Sequence, residues 1–233
     1  MKCILNRKTG TGDSNPLIKK GTMKSISKIQ YISQGGTPAE HLLNIKQVCK
    51  GGVDWVQLRL KMVSDELYAE TAVLAKGICD AYQVKLIIND NVQVAQDIQA
   101  DGVHLGKEDM HPEQARQILG SDKIIGGTAN TLDDCIRLSQ VGVDYIGLGP
   151  YRFTTTKENL SPVLGIEGYQ SIVRDLVNRE VNLPIIGIGG IQPEDVIHLH
   201  QTGVHGIAIS GALTNPNNID EVIENFRNTY SQV

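Results

Sequence analysis

The sequence predicts a single-domain α/β protein, a (β/α)8 barrel of the TIM-barrel type, and three observations predict it. From Ile29 onward, short apolar runs of strand length alternate with longer stretches of helical periodicity, the pattern of parallel strands joined by crossover helices. The runs are apolar nearly throughout, as strands covered on both faces require. Glycine-rich turns suited to phosphate fall late in the chain, at Gly149, Gly189-Gly190 and Ser210-Gly211. An open doubly wound sheet would carry its glycine loop after the first strand, whereas barrels recurrently bind phosphate after strands seven and eight.

Taken in order, the expected strands are Ile29 to Ile32, Trp55 to Leu58, Leu86 to Ile88, Val103 to Leu105, Ile124 to Gly126, Tyr145 to Leu148, Ile185 to Ile188 and Ile207 to Ile209. Helix starts follow at Thr37-Pro38, Ser64-Asp65-Glu66, His111-Pro112-Glu113, Thr131-Leu132-Asp133 and Gln192-Pro193-Glu194. A polar cap followed by acids complements the exposed N–H groups and positive end of a helix. Gly51-Gly52, Gly120, Gly142 and Gly203 close helices by permitting a left-handed residue at the C-terminus. Residues 1–28 carry Lys2, Arg7, Lys8, Lys19, Lys20, Lys24 and Lys28 against Asp13, with little apolar periodicity. They are expected to form a flexible N-terminal arm, with a transit peptide as the other reading, and residues 29–233 the catalytic barrel.

At 233 residues and 40% hydrophobic, the chain can bury a large core. A net charge of -4 argues against a nucleic-acid or anionic-membrane partner. No apolar stretch is long enough to span a bilayer, and no signal-peptide core follows Met1, so a cytoplasmic protein handling small molecules is expected. Cys3, Cys49, Cys79 and Cys135 lack paired spacing and read as reduced, structural thiols.

The functional signal is the polar residues that follow the strands, because a barrel gathers those ends on one face. Alternation in an extended segment sends Gln57, Arg59 and Lys61 to one side after strand two, a set suited to diphosphate. Asn89 and Asp90 follow strand three, and His104, Lys107, Glu108 and Asp109 accompany strand four. Alone, each aspartate suits a helix cap; together, beside Arg59 and Lys61, Asp90 and Asp109 suit magnesium, which takes a few protein oxygens plus water and phosphate. Glu108 is a second candidate carboxylate that only geometry can separate from Asp109. His104, within an apolar strand, is expected to be an inward, hydrogen-bonded core histidine. After strand six, Thr154, Thr155, Thr156 and Lys157 lie in a long polar loop, read as a mobile lid. Strands seven and eight end in Gly189-Gly190 and Ser210-Gly211, whose backbone N–H groups suit a monophosphate.

From Ile29 to Leu213 these features resemble the thiamine phosphate synthase family, through QLRLK at Gln57 to Lys61, IIND at Ile87 to Asp90, ADGVHLGKED at Ala100 to Asp109, TTTK at Thr154 to Lys157, IGGI at Ile188 to Ile191 and IAIS at Ile207 to Ser210. The resemblance implies a transferase that joins 4-amino-2-methyl-5-hydroxymethylpyrimidine diphosphate to a thiazole phosphate, with Mg2+ as cofactor and a homodimer as the assembly. It implies that Gln57, Arg59, Lys61, Asn89, Thr128 and Lys157 hold the pyrimidine diphosphate. Asp90 and Asp109 would hold magnesium. Thr154, Thr156, Gly189, Ile209 and Ser210 would hold the thiazole phosphate. Arg59, Lys61 and Lys157 would act catalytically by meeting charge on the departing diphosphate.

The chain departs from the family at Leu60, where an acid is common, and at Lys107, Thr128, Asn130 and Arg152-Phe153, where Gln, Ser, His and Phe-Pro are common. Thr128 keeps the hydroxyl. Two rival functions follow from the same residues: a thiazole tautomerase, which needs a histidine where Asn130 stands, and a non-catalytic sensor of thiamine phosphate. Other phosphate-binding barrels need acid and base groups at the strand ends, where this chain offers mainly cations and hydroxyls.

Overall fold

A computed structural model of the chain describes residues 24–153, 162–214 and 219–231. Eight parallel strands close into a barrel in sequence order, β1 pairing with both β2 and β8. They are β1 Ile29–Ile32, β2 Trp55–Leu58, β3 Lys85–Asn89, β4 Gly102–Leu105, β5 Ile124–Ala129, β6 Tyr145–Leu148, β7 Ile185–Ile188 and β8 Gly206–Ile209. The helices are α1 Pro38–Lys50, α2 Asp65–Ala81, α3 Val92–Asp97, α4 Pro112–Leu119, α5 Leu132–Gln140, α6 Gly165–Asn178, α7 Val196–Gln201, α8 Gly211–Thr214 and α9 Ile219–Ser231, with a 3₁₀ turn at Pro193–Asp195. Strand limits agree with expectation to within one residue except in β5. There, pairing of Thr128 with Gly147 and of Ala129 with Leu148 extends the strand, so Thr128 lies within it.

Alternation along each strand sorts the side chains into two layers. Ile29, Tyr31, Val56 and Leu58 pack with Ile45, Val48, Ala72 and Ala75 beneath the helices. Ile32, Trp55, Ile87, Ile124, Tyr145, Ile186 and Ala208 fill the barrel interior, together with Ile26. A barrel of this size is a packed core rather than a pore. Of the expected arm, residues 24–28 pack on the barrel: Ile26 is buried, Lys24 pairs with Asp144 at 2.9 Å, and Lys85 Nζ donates to the Ser25 carbonyl at 2.7 Å. Residues 1–23 lie outside the described residues, and Cys3 with them.

The helix caps expected at Thr37, Ser64 and Thr131 form. Thr37 Oγ1 accepts from the Glu40 N–H at 3.2 Å and Ser64 Oγ from Leu67 at 3.3 Å, while Thr131 and Asp134 form a reciprocal capping box. His111 supplies no side-chain cap, and α4 opens on Pro112 instead. The glycine stops at Gly52, Gly120, Gly142 and Gly203 all take positive φ. Among the described residues no helix is long and apolar enough to cross a membrane, and Cys49, Cys79 and Cys135 are buried and free.

Candidate active site

The C-terminal strand ends open on a cavity of about 410 Å³. Two tyrosines brace its rim from the helix layer. Tyr68 of α2 donates toward the carbonyls of Leu58 and Asn89 at 3.3 and 3.0 Å, bridging the ends of β2 and β3. Tyr169 of α6 donates to the Leu148 carbonyl and accepts from the Ile188 N–H at 3.1 Å, bridging β6 and β7. Burial of hydroxyls that satisfy strand-end backbone groups fixes the strands from which the site residues project.

On the β2–β4 side, Gln57, Arg59, Lys61, Asn89, Asp90 and Asp109 all line the cavity. The Arg59 N–H is held by Ser33 Oγ at 3.0 Å, and Ser33 Oγ is in turn bonded to His41 Nδ1 at 2.8 Å. Asp90 has φ 65, a left-handed conformation uncommon for a side-chain-bearing residue, and its N–H donates to the His104 carbonyl at 2.9 Å. Lys61 Nζ pairs with Asp90 Oδ2, and Asp109 Oδ2 accepts from the Gly106 N–H at 2.6 Å. The carboxyls of Asp90 and Asp109 are hydrogen-bonded to each other. Burial opposes charge on Asp90, but the hydrogen bond from Asp109 and the Lys61 ammonium outweigh it and hold Asp90 below the usual carboxylate range. Burial, with the Asp90 carboxylate alongside, pushes Asp109 up to about 6. Glu108 is exposed and also lines the cavity, but it is Asp109 whose carboxyl interacts with that of Asp90.

Two neighbouring hard-oxygen carboxylates, one with its pKa raised by the other, fit a divalent cation, which would relieve their repulsion. Among the described residues no group of three His, Cys, Asp or Glu side chains converges. A cation held by this pair would complete its shell with water and substrate oxygens, as magnesium commonly does.

Across the barrel, Gly189, Ile209 and Ser210 line the same cavity. Gly189 has φ 95, and a Cβ there would lie 2.8 Å from Pro150 Cα, so only glycine fits the turn without strain. Ser210 Oγ donates to Gln34 Oε1 at 3.1 Å. Arg152 grips Asp195 through two bonds of 2.7 and 2.9 Å, while its N–H donates to the Gly189 carbonyl at 3.0 Å. Arg152, one of the two positions there that depart from the family pattern, thus fastens the strand-six exit to the glycine turn. Thr154, Thr156 and Lys157, and with them the expected lid, lie outside the described residues.

Beneath the cavity His104 is buried, bonded to Tyr145 OH and to Thr128 Oγ1, each at 2.9 Å, and it also lines the cavity. The expected core histidine is therefore a neighbour of the site as well. Sequence reasoning passed over Gln34, Gln30 and Tyr145. Gln34 carried the signal used elsewhere, a polar residue just past a strand and before Gly35-Gly36. Gln30 and Tyr145 sit within apolar strands and gave no such signal. Asn130 Nδ2 donates to the Gly149 carbonyl, a structural bond at the position where the tautomerase reading needs a histidine.

Residues 30–213 match the family model described as thiamine monophosphate synthase. A thiamine-phosphate synthase of Flavobacterium psychrophilum is 47% identical over 197 residues, 84% of this chain and 96% of the relative. One from Bacteroides fragilis is 45% identical over 185 residues, 79% of this chain and 91% of the relative. Among solved structures, a thiamine phosphate pyrophosphorylase from Pyrococcus furiosus superposes with TM-score 0.73 at 27% identity, covering 88% of this chain and 96% of that one.

Proposed function

The chain belongs to the thiamine monophosphate synthase family, and on that premise we propose that it condenses 4-amino-2-methyl-5-hydroxymethylpyrimidine diphosphate with a thiazole phosphate, releasing diphosphate and thiamine phosphate. The C–O bond between the pyrimidine methylene and the diphosphate breaks, its electron pair leaving with the diphosphate. The lone pair of the thiazole nitrogen then forms the new C–N bond to the methylene cation. No protein nucleophile is required. Arg59 and Lys61, with Lys157, meet the negative charge that grows on the leaving group, where positive groups fixed in advance lower the barrier most. Gln57, Asn89 and Thr128 seat the pyrimidine end. Asp90 and Asp109 would hold Mg2+, whose charge, when bound, neutralises diphosphate oxygens. Thr154, Thr156, Gly189, Ile209 and Ser210 seat the thiazole phosphate.

The observation that carries this reading is the sharing of one cavity by Arg59, Lys61 and the Asp90–Asp109 pair on one side and the Gly189 turn and Ser210 on the other. The test is diphosphate release from purified protein given both substrates, with and without magnesium. Release that needs all three components is expected, and Asp90→Ala should abolish it while the circular dichroism spectrum is kept. Aromatisation of a thiazole carboxylate without diphosphate release would instead identify a tautomerase. Binding of thiamine phosphate without turnover would identify a sensor.

A further inference from the structure

At the end of β1, a serine and a histidine outside the cavity hold the backbone of Arg59. The pairing of β1 with β2 ends at Ile32 and Gln57, and the Ser33 N–H carries it one step further by donating to the Gln57 carbonyl at 2.9 Å. In a regular parallel ladder the next bond would run from the Arg59 N–H to the Ser33 carbonyl. Here Ser33 Oγ accepts that bond instead, at 3.0 Å. With the hydroxyl standing in for the carbonyl, the backbone of β1 leaves the sheet while β2 is still held at Arg59. The chain then passes close to the start of α1, where a Cβ at Gly35 would lie 2.8 Å from the His41 backbone nitrogen. That approach puts the Gly35 carbonyl 3.1 Å from His41 Nε2, while His41 Nδ1 lies 2.8 Å from Ser33 Oγ.

Both ends of this chain of bonds are backbone groups, and they fix its direction. A carbonyl can only accept, so His41 Nε2 carries a proton. Burial, aided by the Arg59 charge, outweighs the Gly35 carbonyl and Glu40 and holds the imidazole below its ordinary pKa. The ring is therefore neutral, and its bare Nδ1 accepts the Ser33 hydroxyl proton. At the other end an N–H can only donate, so Ser33 Oγ accepts from Arg59. The bonds run from the Arg59 N–H through the hydroxyl and the imidazole to the Gly35 carbonyl, each polarising the next. Ser33 and His41 are 3% and 4% exposed and neither lines the cavity, whereas Arg59 does. The pair has the spacing of a nucleophile and its base, but burial keeps substrate from it.

We propose that Ser33 and His41 are positioning residues that act through Arg59, fixing the backbone from which its guanidinium meets the diphosphate. The proposal rests on the role given to Arg59 above and adds the two residues that hold it in place. A catalytic group displaced by about 1 Å can lose on the order of 100-fold in rate. Gln34, the next residue, has its own supports: its N–H donates to Tyr31 OH at 3.3 Å and its carbonyl accepts from Asn44 Nδ2 at 2.7 Å. Its contact with Ser210 should therefore survive loss of the Ser33 hydroxyl.

The test is a double-mutant cycle read by titration calorimetry with inorganic diphosphate and magnesium. Ser33→Ala should weaken diphosphate binding about tenfold, the worth of one oriented hydrogen bond, and leave thiazole phosphate binding within about twofold of wild type. In an Arg59→Ala background the same substitution should cost nothing further, because the side chain it positions is gone. Full diphosphate affinity in folded Ser33→Ala, or a penalty of equal size in both backgrounds, overturns the proposal alone. Unchanged diphosphate binding in Arg59→Ala removes the parent role of Arg59, and this proposal with it. Should Ser33→Ala not fold, two variants of His41 decide. His41→Asn keeps an acceptor near the Nδ1 position for the Ser33 hydroxyl, and His41→Gln keeps a donor near the Nε2 position for the Gly35 carbonyl. Tighter diphosphate binding by the Asn variant supports the proposal, and equal or tighter binding by the Gln variant overturns it.

Discussion

Asp109 is a single residue whose surroundings set the charged form of its side chain against the fold's stability. Its carboxyl, buried beside the Asp90 carboxylate, is pushed up to about 6, above the ordinary aspartate value of an unfolded chain. The folded protein therefore binds this proton more tightly than the unfolded one. The stabilisation is complete below the unfolded value, near pH 4, and is lost as pH rises through about 6. In chelator, Asp109→Asn should be more stable than wild type above that range, and the difference should vanish toward pH 4, as thermal melts across pH would record. In magnesium the same substitution should cut diphosphate release by roughly 100-fold or more, since metal charge stabilisation is worth several kcal/mol. Equal melting profiles for the two proteins at every pH would remove the raised pKa of Asp109 from the account.

At the scale of elements, the strand ends are pinned from neighbouring elements rather than by the strands alone. Arg152, leaving β6, binds Asp195 of the 3₁₀ turn after β7 and the carbonyls of Gly189 and Gly190. Asp195 is buried, so Arg152→Ala leaves an anion with one counter-charge fewer. Because the Arg152 side chain is half exposed, the loss should be about 1–2 kcal/mol rather than the full cost of a buried pair, read as a lower denaturation midpoint with unchanged slope. The KM for thiazole phosphate should rise with it, and Arg152→Lys should restore only part of either effect, since one ammonium cannot replace the two-pronged grip. The order of the strands and most helix starts were legible in the sequence because apolar runs, caps and glycine stops are local signals. The polarity of the interior was not. Gln30 and Tyr145 depend on partners far along the chain, each being one of the other's, while Gln83, Gln99 and Glu180 take positive φ where glycine is expected, although the N–H of each bonds only three residues back. The end of β5 was missed for the same reason as the interior, since Thr128 is a strand residue only because Gly147 pairs with it.

In the whole molecule, closure in sequence order sets β2–β4 opposite β6–β8, so the two halves of the chain supply opposite sides of one cavity. The sequence divided its polar residues the same way, with cations and carboxylates early and glycine turns late. If each half seats one substrate, damage to one half should leave the other's ligand alone, because well-separated sites without shared partners behave independently. Lys61→Gln should weaken binding of inorganic diphosphate with magnesium by about tenfold, the worth of one charge-assisted contact, and leave thiazole phosphate binding within about twofold of wild type. Ser210→Ala should do the reverse, through loss of its own hydroxyl and of the Gln34 contact. Titration calorimetry with each ligand separately avoids the mixing of the two constants in steady-state kinetics. A barrel in which either substitution weakened both ligands equally would have one shared anion site, and a single site cannot hold the leaving diphosphate and the incoming thiazole phosphate at once.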